Sequence, residues 1–459
     1  MATAADPRDL RARAEVQARE LAAAGVAGVT VGWADNNGIP RSRTVPIAAL
    51  PDAATTGIGV TSLFAVFDSA DTITYAYEGL ATPSGDIRLV AELDGLVRLA
   101  GQPALAWAPG RQVDADGEPW PYDQRSVLIR QLARLADAGL SALIGYELEF
   151  GVYRDTEDGE LIPAHHGPAY SPAALTEIDG FVESVLRDFA ANGLHIGQLH
   201  AEYGPAQVEL SLTATDPLTA ADNQLLARQT LRAAAHVHGL RLSFAPLPST
   251  SSAGNGWHLH TSLWRDGSNL LAGGPQGPGP EGAAYIAGLL RDLPAVAAVT
   301  APSLGSLARL RPGYFAGAYR FWGVENREAP LRYVPGSALL GADHANVELK
   351  TSDASANPYL ALAALLAAGA AGVAEKLPLG PPVQTDPGTW SEADRAERGI
   401  AALPKTPSEQ EAALTGNLRI AEVLGKELLG AFLAVRRSDA EAAVDRETDD
   451  VLAGLRWRY

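Results

Sequence analysis

Apolar and polar residues alternate with a period of two in several short runs of this chain. In Ile144-Gly145-Tyr146-Glu147-Leu148-Glu149-Phe150 the apolar side chains occupy one set of positions and two glutamates the other. A strand points successive side chains to opposite faces, so Glu147 and Glu149 share one face of a predicted strand over 143–153. Trp257-His258-Leu259-His260 repeats the pattern with two imidazoles, within a strand predicted near 256–264. Asn346-Val347-Glu348-Leu349-Lys350 repeats it with Glu348 and Lys350, near 345–351. A fourth segment, His200 to Leu210, carries Glu202, Gln207 and Glu209 around Pro205 and leads into a strand over 206–213.

Helical periodicity predicts an amphipathic helix over 7–24 and further helices near 124–138, 172–192, 217–238 and 282–298. Asn357-Pro358 supplies an N-cap and a first-turn proline for an Ala-rich helix beyond. The first hundred residues read as a small α+β unit, with β-rich runs at 26–34 and 72–77 and turns at Asn36-Asn37-Gly38 and Pro83-Ser84-Gly85. The stretch 108–121 is rich in Pro, Gly and Asp and reads as a linker, placing a domain boundary between 109 and 110. Beyond it, alternating strands and helices suggest a large α/β-type domain. Gly273 to Gly279 reads as a surface loop.

Composition narrows the chemistry. The 459 residues include no cysteine, which excludes disulfides and thiolate-bound metals. A formal charge of −18, from 54 acidic and 36 basic side chains, argues against a nucleic-acid partner. Asp6, Arg8, Asp9, Arg11 and Arg13 make the N-terminus unlike a secretory signal, and the nearest candidate for a membrane span, 360–374, is short and Ala-rich. A cytoplasmic protein is therefore expected, with neither a membrane nor a nucleic acid as partner.

Clustered carboxylates repel one another unless a cation neutralises them, and oxygen-rich sites with an imidazole suit Mg²⁺ or Mn²⁺. Arg309, Arg311, Arg320, Arg327 and Arg332 supply guanidinium forks for an anion. Divalent cations facing arginines are the parts of a phosphoryl-transfer site, and no Walker A loop is present to bind ATP.

These segments, in this order, resemble the motifs of the glutamine synthetase superfamily over nearly the whole chain. Gly145 to Phe150 resembles its E-x-E metal strand, and Glu202 with Pro205 to Glu209 resembles its second carboxylate pair. Gly254-Asn255-Gly256-Trp257-His258-Leu259-His260 resembles its glutamate and ATP motif, Arg309 to Tyr314 its flap, and Asn326-Arg327 through Arg332, Glu348 and Ala356 to Tyr359 its phosphate and metal motif. The resemblance implies an α+β fold: an N-terminal β-grasp domain over 1–109 and a catalytic domain of curved antiparallel strands over 110–459. It implies one Mg²⁺ or Mn²⁺ at Glu149, Glu202 and Glu209 and a second at Glu147, His258 and Glu348. ATP would meet His260, Ser262 and Arg332. Glutamate would meet Gly254, Gln207 and Arg309, Arg327 and Arg332 would clamp the transferring phosphoryl group, and Lys350 would be catalytic at the place of the final active-site arginine. Active sites in this family lie between subunits of stacked rings, so a homo-dodecamer of two hexamers is implied.

Three positions depart from the family pattern. Phe315 stands where ammonium-using enzymes carry a flap glutamate, Ala253 replaces an asparagine, and Lys350 replaces an arginine. A cation as small as ammonium needs anionic neighbours, which Phe315 does not supply. The expected activity is ATP-dependent joining of the γ-carboxylate of L-glutamate to a primary amine, ethanolamine first or else a polyamine. The alternatives are a glutamine synthetase proper and an inactive scaffold; retention of all six metal positions argues against the second.

Overall fold

The computed structural model describes residues 7–80, 82, 84–274 and 277–459. Helix Pro7–Ala23 is followed by strands β1 (Gly28–Ala34), β2 (Pro40–Pro46), β3 (Ile58–Thr61), β4 (Asp86–Ala91), β5 (Val97–Arg98) and β6 (Leu105–Val113). They form one sheet in the order β2-β1-β6-β4-β3, with β5 also on β6. Only β1 and β6 pair in parallel. Val29, Val31, Leu89, Ala106 and Ala108 bury its apolar positions.

The boundary expected at 109/110 falls inside β6, which is hydrogen-bonded to β1 on one side and to β4 on the other. Pro109 and Gly110 look like linker residues, yet both are paired within the sheet, and the N-terminal lobe continues to Val113. Asp6, Pro83 and residues 275 and 276 lie outside the described residues. The run 72–77 is not a strand: only Ile73 makes a bridge, to Phe67. There the Asp68 carboxylate accepts from the backbone of Ala70 (2.9 Å) and Thr72 (2.8 Å) and closes a turn instead.

The catalytic region holds β7 (Ser141–Arg154), β8 (Ile196–Ala201), β9 (Gln207–Thr215), β10 (Leu240–Ser243), β11 (Trp257–Arg265) and β12 (Ser268–Asn269). A short hairpin of β13 (Gly273–Gly274) and β14 (Gly277–Pro278) occupies the predicted loop, and β15 (Trp322–Val324), β16 (Leu331–Val334) and β17 (Asn346–Leu349) follow. Nine strands form one sheet along β15-β16-β17-β11-β7-β9-β8, with β10 on β7 and β12 on β11. All of its pairings except β15 with β16 are antiparallel, so the alternation of strands and helices does not give the parallel α/β sheet it suggests. The fold is α+β.

Helices form where periodicity places them, over Gln124–Asp137, Pro217–Val237, Pro280–Thr300 and Pro358–Glu375. The helix expected over 172–192 is two, Pro172–Thr176 and Asp179–Ala191, because Ile178 leaves helical geometry at ψ 29°. Pro280–Thr300 and Pro358–Glu375 are both long and apolar enough to cross a membrane, but each has 78% of its apolar window buried inside the fold. They are core helices packed on one another.

Asn357 caps its helix as predicted, accepting from Tyr359 (3.0 Å) and Leu360 (3.2 Å). Its amide also donates to the carbonyls of Ala34 (3.0 Å) and Asp35 (3.1 Å), which ties the catalytic region to the β1–β2 turn. Gly38 in that turn has φ 66°, and a Cβ there would stand 2.5 Å from the Ala356 carbonyl oxygen. Both the backbone conformation and the close approach require glycine.

Candidate active site

The period of two, carried across five adjacent strands, assembles the site. Tyr146, Leu148 and Phe150 on β7, Trp257 and Leu259 on β11, Val208 and Leu210 on β9, Val347 and Leu349 on β17 and Leu331 and Tyr333 on β16 are all buried. Tyr146 and Trp257 meet edge to face, ring centroids 5.9 Å apart. Antiparallel register then brings the intervening polar residues together on the opposite face. Arg332 pairs with Glu348, and Glu348 with His260. His258 pairs with Glu147 on the next row, and Glu149 with Glu209 and Glu209 with His200 on another.

Contacts within the face run from one end to the other. His258 Nδ1 lies 3.2 Å from Glu147 and 3.6 Å from Glu348, and its Nε2 lies 3.6 Å from Glu149. His260 Nε2 is 3.5 Å from Glu147 and has no hydrogen-bond partner although it is buried, while its Nδ1 meets Asn346 at 2.9 Å. Glu348 is fully buried and pairs with Arg332 and, at 2.9 Å, with Lys350. Burial pushes the Glu348 carboxyl up, but Lys350, the two histidines and Arg332 outweigh it and hold the group well below the usual range. Burial acts likewise on Glu147, and the hydrogen bond with His258 and the nearby His260 imidazole bring it down too.

At the other end the balance reverses. Burial raises the Glu149 carboxyl, and Glu209 beside it adds to the rise against the pull of His258. Glu149 accepts from the Gly256 amide at 2.8 Å and from Gln207 at 3.2 Å. His200 Nε2 lies 3.2 Å from Glu209, and that hydrogen bond lifts the imidazole to about 9. Glu202 stands at the same end, where burial and then the neighbouring Glu202 carboxylate push the Tyr170 phenol up to about 12.

Three donor groups each bring their ligand atoms within 4.8 Å: Glu147, His260 and Glu348; Glu147, Glu209 and His258; and His200, Glu202 and Glu209. Mutually repelling carboxylates, neutral-capable imidazoles and an orphaned buried His260 nitrogen are the donor chemistry a hard divalent cation requires. Five of the six predicted ligands, Glu147, Glu202, Glu209, His258 and Glu348, fall in these groups, whose membership differs from the two triads that the resemblance implies; Glu149 is in none of the three and meets the cluster through His258 at 3.6 Å. His200 is the residue sequence reasoning left out, despite standing two positions before Glu202 on the same face. Tyr170 sits in an irregular segment whose pattern gave no signal.

The remaining predicted residues are distributed around this face. Gln207 is locked by the Gly254 carbonyl at 2.7 Å and the Gly204 amide at 3.1 Å. Arg309 is buried beneath Gly254, where a Cβ would stand 2.7 Å from its Cγ, and its guanidinium donates to the carbonyls of Thr351 (2.6 Å) and Ser352 (3.1 Å). Ser262 lies one strand repeat beyond His260, with its hydroxyl accepting from Trp264 at 2.8 Å. Arg327 is exposed in the turn between β15 and β16, apart from the Arg332–Glu348 pair. Phe315 is 60% exposed with φ 53°, in the flap next to the equally open Tyr314.

A mostly antiparallel sheet of nine strands with a carboxylate and imidazole face, beside a lobe of six strands, defines the class. The glutamine synthetase catalytic-domain family matches residues 121–451, and the chain belongs to that family. It is 42% identical to the gamma-glutamylpolyamine synthetase GlnA3 of Streptomyces coelicolor over 97% of both chains. Among solved structures, a novel glutamine synthase homolog superposes with a TM-score of 0.83 at 31% identity, covering 95% of this chain and 99% of the other. The ADP complex of GmaS superposes at 0.81 with 26% identity, covering 94% and 96%. Within the family the chain is a carbon–nitrogen ligase of the γ-glutamyl-amine branch, an enzyme that uses ATP and a divalent cation.

Proposed function

We propose that this ligase joins the γ-carboxylate of L-glutamate to a polyamine. The supporting observation is the retention of the whole carboxylate and imidazole face beside a flap that carries Phe315 where an ammonium site needs a carboxylate. The polyamine substrate named for the 42%-identical relative supports the choice of amine.

In the first step the γ-carboxylate attacks the terminal phosphorus of ATP, forming γ-glutamyl phosphate and ADP. In the second the amine nitrogen attacks the acyl carbon, phosphate departs and the nitrogen loses a proton. Arg309 and Gly254, with Gln207 holding the Gly254 loop, would orient glutamate, and His260 and Ser262 would face the nucleotide. Arg327, Arg332 and Lys350 would neutralise the charge developing on the transferring group, where fixed donors are worth most. Glu149, Glu202 and Glu209, and Glu147, His258 and Glu348, would hold two Mg²⁺ or Mn²⁺ ions, which supply charge neutralisation when bound. The reading includes a cytoplasmic dodecamer of two stacked rings, testable by light scattering.

Ethanolamine is the second reading, favoured by the apolar Phe315 side chain. Phosphate release with glutamate and ATP across ammonium, methylamine, ethanolamine, putrescine and spermidine separates the readings. Turnover with putrescine and spermidine well above that with ethanolamine supports the first, and turnover with ammonium alone removes both.

A further inference from the structure

Arg320, one of the five arginines clustered in the sequence, belongs to a different place from the metal face. Its side chain lines a cavity of about 910 Å³, together with Leu290, Phe321, Trp322, the segment 377–385, Trp390 and Arg398. That volume falls within the range of small-molecule sites, roughly 300–1,000 Å³. Arg291 also lines it, but is neutralised by Asp292 at 2.8 Å and by Glu375. Arg398 lies over the Trp390 ring, 4.4 Å from its centroid. Among the described residues no carboxylate pairs with Arg398 or with Arg320. Two uncompensated guanidinium groups beside two indole rings are unusual in a chain of formal charge −18.

The cavity shares its wall with the turn 325–330, which joins β15 to β16 and carries Arg327. The Val383 amide donates to the Trp322 carbonyl at 2.9 Å, and Gln384 bonds the backbone of Val324 in both directions, at 2.9 and 3.1 Å. Asn326 donates to the carbonyls of Val383 (2.8 Å) and Thr385 (3.2 Å). Phe321 and Ile400 of the lining form an apolar cluster with Ala329 of the turn, and Val383 and Trp390 pack against it.

We propose that this cavity binds a small aromatic carboxylate as a regulator, held by Arg320 and Arg398 against the tryptophans, and that its occupancy braces the turn of Arg327. Guanidinium forks match a carboxylate, and they bind it most strongly where the surroundings are apolar. A nucleotide fits less well: Gln384 is already spent on Val324, so ribose hydroxyls would be buried with too few partners. The regulatory half rests on the role of Arg327 under the proposed function; the binding half does not.

The test titrates the full-length protein by calorimetry with 1-naphthaleneacetate, its neutral amide and 1-naphthyl phosphate, in the presence of saturating glutamate, ADP and Mg²⁺. The acid should bind at least tenfold more tightly than the amide. Arg320→Gln should remove on the order of a tenfold factor from the acid alone, as for a lost hydrogen bond to a charged group, and Arg320→Lys less. Arg398→Gln should weaken the acid in the same sense while keeping wild-type basal turnover. Equal binding of acid and amide, tighter binding of the phosphate, or loss of binding when glutamate and ADP are added overturns the site. In phosphate-release assays the acid should lower the KM for ATP several-fold in wild type, and not at the same concentration in Arg398→Gln. Binding that leaves the wild-type KM for ATP unchanged overturns the regulatory role, and neither result bears on which amine the ligase uses.

Discussion

The two ends of the polar sheet face use the same residue types and reach opposite electrostatic states. Around Glu348 the protein supplies its own counter-charges, Arg332 and Lys350 at 2.9 Å, with two histidines beside them. Around Glu149 and Glu209 the nearest basic side chains are His200 at 3.2 Å and His258 at 3.6 Å, and the carboxylates push against each other. One end is charge-compensated as folded; the other is built to be completed by something else. An E-x-E strand alone does not tell these states apart, because the difference lies in what the neighbouring strands bring.

Removing one charged side chain at each end should therefore act with opposite sign on stability and alike on activity. Glu149→Ala should abolish cation-dependent turnover, the largest effect expected. In metal-free protein its melting temperature should equal or exceed that of wild type, since Glu209 loses a repelling neighbour. Calorimetry in a chelator together with phosphate release checks both parts, and retained turnover would break the comparison at its metal end.

Lys350→Met tests the compensated end. Turnover should fall on the order of a hundredfold, as for a lost electrostatic stabiliser. Unlike Glu149→Ala, this variant should unfold at lower denaturant, by roughly 1–3 kcal/mol, because the fully buried Glu348 keeps its charge with one partner fewer. Wild-type stability in this variant would mean that Arg332 alone satisfies Glu348.

Added Mg²⁺ or Mn²⁺ sharpens the contrast on a smaller scale. Binding to the folded state alone stabilises by about 2.7 kcal/mol at a hundred times the dissociation constant. The wild-type midpoint should rise accordingly, Glu149→Gln should lose much of the rise, and chelation should reverse it. A rise that is unaffected by Glu149→Gln would place the stabilising ion elsewhere.

Much of this was legible because a period of two is a local property. Alternation in 144–150, 257–260 and 346–350 was enough to put Glu147, Glu149, His258, His260, Glu348 and Lys350 on polar faces. Lys350 also stood out as one of only four lysines. Register between strands is set by contacts distant in sequence, so the bridging of Glu147 by both histidines and the pairing of His200 with Glu209 were not readable. Nor was β6: Pro109 and Gly110 carry loop signals that sheet pairing overrides. The α/β-type reading of the alternation failed because alternation of elements fixes neither strand order nor direction.

The flap belongs to neither end, and its effect should be the smallest. Phe315 is 60% exposed, so Phe315→Glu replaces apolar surface without opening a core cavity. A glutamate there can hold an ammonium ion and take its proton, which should raise the ratio of ammonium to amine use. Competition between ammonium and putrescine at fixed glutamate and ATP measures that ratio in wild type and variant. A ratio unchanged in Phe315→Glu would show that position 315 does not decide between ammonium and a larger amine.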